Sequence, residues 1–379
     1  MASNKWAREG FNWGPGLFII GYHVGLAIGL PLYFASHRPA LGVVVSSIVI
    51  LILSEIGIGA AYHRFYSHRC FKLNRVAEAA LLFLGTVATQ GSVLRWSCDH
   101  RNHHAHVDTD LDPYSINKGF FFAHMGWLFE KSKPIDERIV QDLMKNPLVR
   151  FQHRHANALS IGSNAGLWLL FGWLFNDFLG AFVLLWWTRL ALSHHLTWFI
   201  NSLAHTWGSK TYSREHTAVD NFVVAMLTVG EGYHNYHHTF PSDYRNGVKW
   251  FHFDPTKWTI FLLSKVGLAS GLKRYDEHRI KNRLLDEDHR RVIEQLKASA
   301  QRTREELGQR ADELAARIHE KLAQLAQLMK QLESLDRKKA YQDRRRQIQA
   351  QLRELKQSMR RDWKDWYRLC DSVLADAPA

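Results

Sequence analysis

Nine histidines fall in a pattern that can hold metal. His63 and His68 bound the run HRFYSH. His100, His103 and His104 lie in HRNHH, His234, His237 and His238 in HNYHH, and His205 stands alone in NSLAH. Imidazole is the commonest metal ligand, and each run follows or flanks a long apolar stretch. The triplet H-x2-H-H occurs twice. On a helix its members sit at i, i+3 and i+4 and point three rings into one small volume. His63 and His68 are five residues apart, about 140° on a regular helix that turns about 100° per residue. That pair therefore serves two metals, or the helix ends between its members. The cysteines, Cys70, Cys98 and Cys370, have no CxxC spacing, so the ligands are nitrogen and oxygen. Such a set, with open positions, suits iron that activates O2, whereas structural zinc closes at four ligands and usually recruits cysteine. Nine rings point to two irons. Asp99, Asp220 and Glu231 are the carboxylates expected to accept imidazole N–H groups and so fix ring tautomer.

Those rings need a frame. Residues 14–36 and 40–62 are each long enough to cross a bilayer core, which takes about 20 residues. A very short linker makes them an antiparallel hairpin, and residues 159–175 and 178–199 form a second, turned at Asn176 and Asp177. His23, Glu55, Arg189, His194 and His195 interrupt these stretches and are expected to face inward, since polar groups in lipid are costly. Residues 76–89 read as a helix in the interface or capping the core, with a fifth span as the alternative, and residues 105–157 as a soluble cap. The first apolar run is too long for a signal peptide and lacks a small-residue cleavage site, so a span is expected there instead. An even number of spans puts both termini on one side. Lys5, Arg8, Arg69, Lys72 and Arg75, with a basic tail, place that side and the histidines in the cytoplasm.

The formal net charge of +13 calls for an anionic partner. No zinc-finger or RNP pattern supports nucleic acid, so an anionic leaflet or the phosphate of an acyl carrier fits better. The mean hydropathy of −0.27 averages an apolar front with a charged tail. Residues 292–369 contain no proline and carry two heptad seams. Ala311, Leu314, Ile318, Leu325, Leu328, Leu332 and Leu335 form one, with Lys321 as its break. Ile348, Leu352, Leu355, Met359, Trp366 and Leu369 form the other, out of phase across residues 336–343. An antiparallel helical hairpin with its turn there explains the shift. It serves oligomerisation or partner docking, or packs on itself. The expected fold is an all-α integral membrane protein: a four-span core with a cytoplasmic helical cap over residues 1–290, then a coiled-coil-like hairpin over residues 291–379.

The combination HRFYSH, DHRNHHAHVDTDLDPY, NSLAH and GEGYHNYHHTFPSDYR closely resembles the membrane acyl-CoA Δ9 (stearoyl-CoA) desaturases, in their bacterial branch, over residues 12–290. The resemblance implies a di-iron centre on His63, His68, His100, His103, His104, His205, His234, His237 and His238, with Asn201 contacting one iron through water. It also implies a kinked apolar tunnel that brings C9–C10 of an acyl chain to the irons. Gln90, Trp96 and Thr197 match positions at its bend, with Trp198 nearby. The implied reaction uses O2 to remove two hydrogens and leave a cis double bond; a di-iron hydroxylase of alkyl or acyl chains is the alternative. Where the animal enzymes carry a basic residue before the aspartate of the second histidine run, this chain has Cys98. The carrier is therefore left open between CoA, lipid and acyl-carrier protein. With no GxGxxG or HPGG stretch, electrons are expected from a separate ferredoxin or cytochrome b5-type protein with its reductase. The implied location is the inner cell membrane.

Overall fold

A computed structural model describes residues 10–297, 301–335 and 342–374. Lys5, Arg8 and most of the expected tail turn at 336–343 lie outside the described residues. Apart from a two-residue antiparallel pair, β1 (Lys72–Leu73) with β2 (Ala269–Ser270), the regular structure is helical. The chain divides into two compact units, Met1–Lys210 with Glu215–Arg274, and Thr211–Arg214 with Tyr275–Ala379.

In the first unit, α1 (Trp13–Ser36) and α2 (Leu41–Gly57) form the first hairpin, and α2 continues as a π-helix over Ile58–Ser67. Trp13–Ser36 and Leu41–Ser67 are both long and apolar enough to cross a membrane. They turn Leu17, Ile20, Val24, Ile28, Val45, Ile48, Val49 and Ile52 outward while burying Tyr22 and Glu55. An outward apolar face of this kind is unfavourable in water at about 25 cal/mol per Å² and suits lipid.

The second hairpin is α5 (Pro147–Leu174), kinked at His155, and α6 (Arg189–Ser202), which a π-helical turn over Ala181–Thr188 precedes. Arg189, His194 and His195 make its second member more polar than the first hairpin. Arg189 and His194 do face inward: Arg189 donates to Val87 O and Asn164 Oδ1, and His194 bonds Tyr22 Oη and the carbonyls of Ala88 and Thr89. At the turn, Asp177 accepts from Gly180 N at 2.7 Å and from Ala40 N at 2.9 Å, tying the two hairpin ends together.

Two helices carry the chain from the first hairpin to the second. In α3 (Arg75–Val87), Asn74 Oδ1 caps Ala77 N; in α4 (Val93–His106), Ser92 Oγ caps Arg95 N. α3 packs against α2 through paired glycines, since a Cβ on Gly57 would come within 2.4 Å of Gly85 N. Tyr62, Leu81, Leu82, Val93 and Leu94 fill the core between them. Beyond α6 come α7 (Phe222–Leu227), α8 (His234–Thr239) and α9 (Pro255–Lys265).

Among its described residues the second unit holds α10 (Glu277–Leu296), α11 (Gln301–Ser334) and α12 (Gln342–Leu374), the last two on either side of the expected turn and the first largely upstream of the expected hairpin. Leu285, Val292 and Leu296 of α10 join Leu314, Ile318, Leu322, Met359 and Trp366 in one core. The change of composition near residue 290 thus falls inside a helix, and the unit begins at Tyr275. The break in the seam has a partner: Lys321 Nζ donates to Ser358 Oγ and Asp362 Oδ2, both at 2.5 Å.

Candidate metal centre

The nine histidines converge, and they divide five to four. His63, His68, His100, His104 and His237 form one group, and His103, His205, His234 and His238 the other. Within each group the ring nitrogens lie within 4.8 Å of one another. The π-helix places the first pair. Its i→i+5 bond, His68 N to His63 O at 3.1 Å, stacks residues five apart, so His63 and His68 share one group rather than serving two. Arg101 locks that turn to α4, donating to Ser67 O at 3.0 Å and Tyr66 O at 2.6 Å while pairing bidentately with Asp142. The two triplets split in opposite senses. α4 gives His100 and His104 to the first group and His103 to the second; α8 gives His234 and His238 to the second and His237 to the first.

The rings meet by their Nε2 atoms. In the first group the contacts are His63–His237 at 2.9 Å, His68–His100 at 2.8 Å and His104–His237 at 2.9 Å. In the second they are His103–His238 at 3.2 Å and His234–His238 at 3.1 Å. Oxygen atoms hold the far side of three rings: Glu231 Oε2 lies 2.8 Å from His63 Nδ1, Asp112 Oδ1 2.9 Å from His103 Nδ1, and Thr217 Oγ1 2.7 Å from His205 Nδ1. Glu231 and Asp112 put the proton on Nδ1 and turn the Nε2 lone pair inward, the tautomer that binds metal. Thr217 acts likewise, because its hydroxyl donates to Asp108 Oδ1 and leaves only an acceptor for His205. The Nε2 of His205 is buried with no hydrogen-bond partner.

Burial, and then repulsion between neighbouring rings, hold His68, His100, His104, His205, His234, His237 and His238 well below the ordinary imidazole range. They are neutral at neutral pH. Inward lone pairs on neutral, buried rings repel one another unless a cation lies among them, so the residues fit metal. Burial alone would raise the Glu231 carboxyl, but Arg64 and His63 outweigh it and lower it to about 2. Arg64 reaches Glu231 Oε1 at 2.8 Å and also pairs with Asp254.

Of the three expected carboxylate acceptors, only Glu231 meets an imidazole. Asp99 lies 3.5 Å from the Arg95 guanidinium, one helical turn away, and burial raises it to about 6 against the pull of that arginine. Asp220 accepts from Tyr236 N at 3.0 Å. It satisfies a first-turn N–H of α8, whose own N-cap residue, Tyr233, provides no side-chain cap. Burial raises Asp220 to about 7. The acceptors that sequence reasoning missed are Asp112 and the relay Asp108–Thr217, with Tyr114 Oη at 3.4 Å from His100 Nδ1. Asp108, Asp112 and Tyr114 follow the second run directly in HVDTDLDPY, which is the one signal the sequence carries for them.

Three of the four expected tunnel residues form a hydrogen-bonded line. Trp96 Nε1 donates to Gln90 Oε1 at 3.3 Å, Gln90 Nε2 donates to Thr197 Oγ1 at 2.6 Å, and Thr197 Oγ1 lies 3.4 Å from Glu55. The Trp96 ring stacks on His100 at 4.9 Å, joining this line to the first histidine group. Trp198 lies elsewhere, in a cluster with Ile19, Tyr22 and Phe129 and stacked on His194. Asn201 sits near the end of α6, four residues before His205.

A family model described as fatty acid desaturase matches residues 39–262. The chain is 38% identical over 285 residues to a probable acyl-CoA desaturase of Schizosaccharomyces pombe, covering 73% of this chain and 59% of that protein. It is 34% identical over 268 residues to the sn-1 stearoyl-lipid 9-desaturase of Anabaena variabilis, covering 70% of this chain and 95% of that protein. Against stearoyl-CoA desaturase 5 of Bos taurus it is 35% identical over 246 residues, covering 61% and 71%. The chain spans 59% and 54% of the two yeast relatives, S. pombe and S. cerevisiae. The matched segment contains all nine converging histidines together with Glu231, Asp112 and Thr217 that orient them, and the chain belongs to the fatty acid desaturase family.

Proposed function

We propose that this protein is an O2-dependent fatty acyl desaturase that introduces a cis double bond, at Δ9, into a saturated acyl chain held on CoA or on a lipid. The observation that carries this reading is the pair of converging histidine groups with inward Nε2 lone pairs, one of them stacked against the Trp96–Gln90–Thr197 line. Two irons, one in each group, are the proposed occupants, with Asn201 contacting one through water. Bound there, they supply the oxidising power for taking hydrogen from an unactivated methylene with O2. The chain's own residues do the rest. Glu231, Asp112 and Thr217 hold three rings in the ligating tautomer, and burial of both groups excludes bulk water. Gln90, Trp96 and Thr197 form the wall that positions the acyl chain. The overall balance is one acyl chain, O2, two electrons and two protons giving the alkene and two waters.

Names among the relatives include both acyl-CoA and acyl-lipid desaturases, which is why both carriers stay in the proposal. Four spans, with both termini and the metal centre cytoplasmic in the inner membrane, follow from the basic flanks and the second hairpin. Electrons come from a separate ferredoxin or cytochrome b5-type carrier with its reductase. The outer side of α12 exposes Arg353, Arg360, Arg361 and Lys364, and we place carrier docking there in preference to self-association. The test is expression in a strain lacking unsaturated fatty acids, followed by double-bond mapping of total lipid. A new Δ9 monoene is expected. No monoene under aerobic, iron-replete conditions sinks the reading, and an alcohol product replaces it with hydroxylation.

A further inference from the structure

The two histidine groups are unequal, and a tenth histidine stands at the edge of the smaller one. The His216 ring lies 5.2 Å from that of His238. Ring spacings inside the four-histidine group are of the same order: His234–His238 at 4.6 Å, His103–His238 at 4.9 Å, His205–His234 at 4.9 Å and His205–His238 at 5.4 Å. Both ring nitrogens of His216 are shut off from solvent.

The backbone that carries His216 is pinned across this group. Thr217 donates its N–H to Asp108 Oδ2 at 2.6 Å and its hydroxyl to Asp108 Oδ1 at 2.5 Å, while its oxygen orients His205. Ala218 O accepts from Asn235 Nδ2 at 2.9 Å. Val219 N donates to Ala204 O at 2.8 Å, and Val219 O accepts from His234 N at 3.2 Å. The segment is thus tied to the residue before His205 and to His234 itself. The His216 imidazole is carried on this pinned segment, against the His238 ring.

We propose that His216 supplies a fifth nitrogen to the metal of the second group, giving the two metals matched sets of five imidazoles. The proposal rests on the reading of these groups as metal sites. It adds a ligand to the nine that the histidine runs and the lone His205 provide. A fifth imidazole leaves fewer open positions on that metal, so the second metal is held more tightly and is less accessible.

The test compares the unaltered full chain with His216→Ala and His216→Gln, each loaded anaerobically with iron(II), counted for metal, and challenged with a chelator. The unaltered chain is expected to hold two irons. His216→Ala is expected to release one of them at least ~10-fold more readily, the range for perturbing a metal's close surroundings, and to retain the other. Both irons held as tightly in His216→Ala as in the unaltered chain would overturn the assignment. An unaltered chain that binds no iron would overturn the metal reading itself, and this proposal with it. Should the variants fail to fold, the structure of the iron-loaded unaltered chain decides the matter: an iron within bonding distance of a His216 ring nitrogen supports ligation, and an iron held by the other four rings with His216 out of reach refutes it.

Discussion

Replacing Glu231 by glutamine should loosen one metal and spare the other. The Glu231 carboxylate takes three hydrogen bonds: Oε2 accepts from His63 Nδ1 at 2.8 Å and from Asn246 Nδ2 at 2.6 Å, and Oε1 accepts from Arg64 Nη2 at 2.8 Å. Glutamine keeps the volume and only one of the oxygens. With its carbonyl toward His63 and Asn246, its NH2 meets the Arg64 guanidinium, donor against donor. Turned round, it leaves His63 Nδ1 facing a donor and no longer fixes that ring. Arg64 retains Asp254 and Tyr244 O, so the fold around it survives. The local loss is one charge-assisted hydrogen bond, ~1.5–3 kcal/mol. Loss of an outer hydrogen bond to a ligand weakens metal binding ~10–100-fold, which corresponds to ~1.4–2.8 kcal/mol. The second group depends on Asp112 and Thr217 and is untouched. Anaerobic iron titration with a competing chelator should therefore show one iron released at ~10–100-fold lower chelator, with the other unchanged. Two irons held as firmly as in the unaltered chain would mean that the Glu231 contact does not set His63 for metal.

Three further outcomes follow from the same geometry. Asp112→Ala removes the acceptor from His103 Nδ1 and should weaken the second group's metal ~10–100-fold, so chelator competition on the double variant with Glu231→Gln should show both irons labile. Thr197→Val cuts the line between Gln90 and Glu55 without touching a histidine; iron content should stay at the unaltered value while the product's chain length or bond position shifts, and an unchanged product profile would remove Thr197 from the tunnel wall. In the second unit, Lys321→Met leaves the largely buried Asp362 carboxylate without its ammonium, and should destabilise that unit by ~1–3 kcal/mol, the pair being discounted for the partial exposure of Lys321. Lys321→Met with Asp362→Leu should recover most of that loss in thermal unfolding, and neither should change iron content.

Much of the site was legible because a few residue types carry it. All nine expected ligands are brought together, and the inward placement of Arg189 and His194 follows from the cost of polar groups on an apolar helix. The surroundings of the rings were less legible. Asp99 lies inside the second run, yet Arg95 stands one turn before it on the same helix and takes its carboxylate. Asp220 lies fourteen residues before His234 and is taken up by the unsatisfied first turn of α8. Asp112 reaches His103 only after α4 has ended and the chain has turned back through Asp108, which adopts a positive φ of 64°. No periodicity encodes such a return. The tail shows the same limit: α11 and α12 carry the two heptad seams, whereas α10, highly charged outside its buried Leu285, Val292 and Leu296, packs with them without a seam of its own to announce it.

Residue types and spacing alone point to nine imidazoles gathered beside apolar helices, to a capacity for metal, and to one hairpin apolar enough for lipid. Which ring joins which group depends on the packing of the helices. On a helix, i and i+4 stand about 40° apart, while the intervening i+3 ring swings about 60° to the other side of i. Each triplet is therefore able to split two to one, but the direction of the split depends on how α4 and α8 face each other. That docking sends His100 and His104 one way and His234 and His238 the other. The pitch of α2 was equally beyond the sequence: an α-helix would have parted His63 from His68, and the π-turn that unites them is set by the packing around Ile58–Ser67.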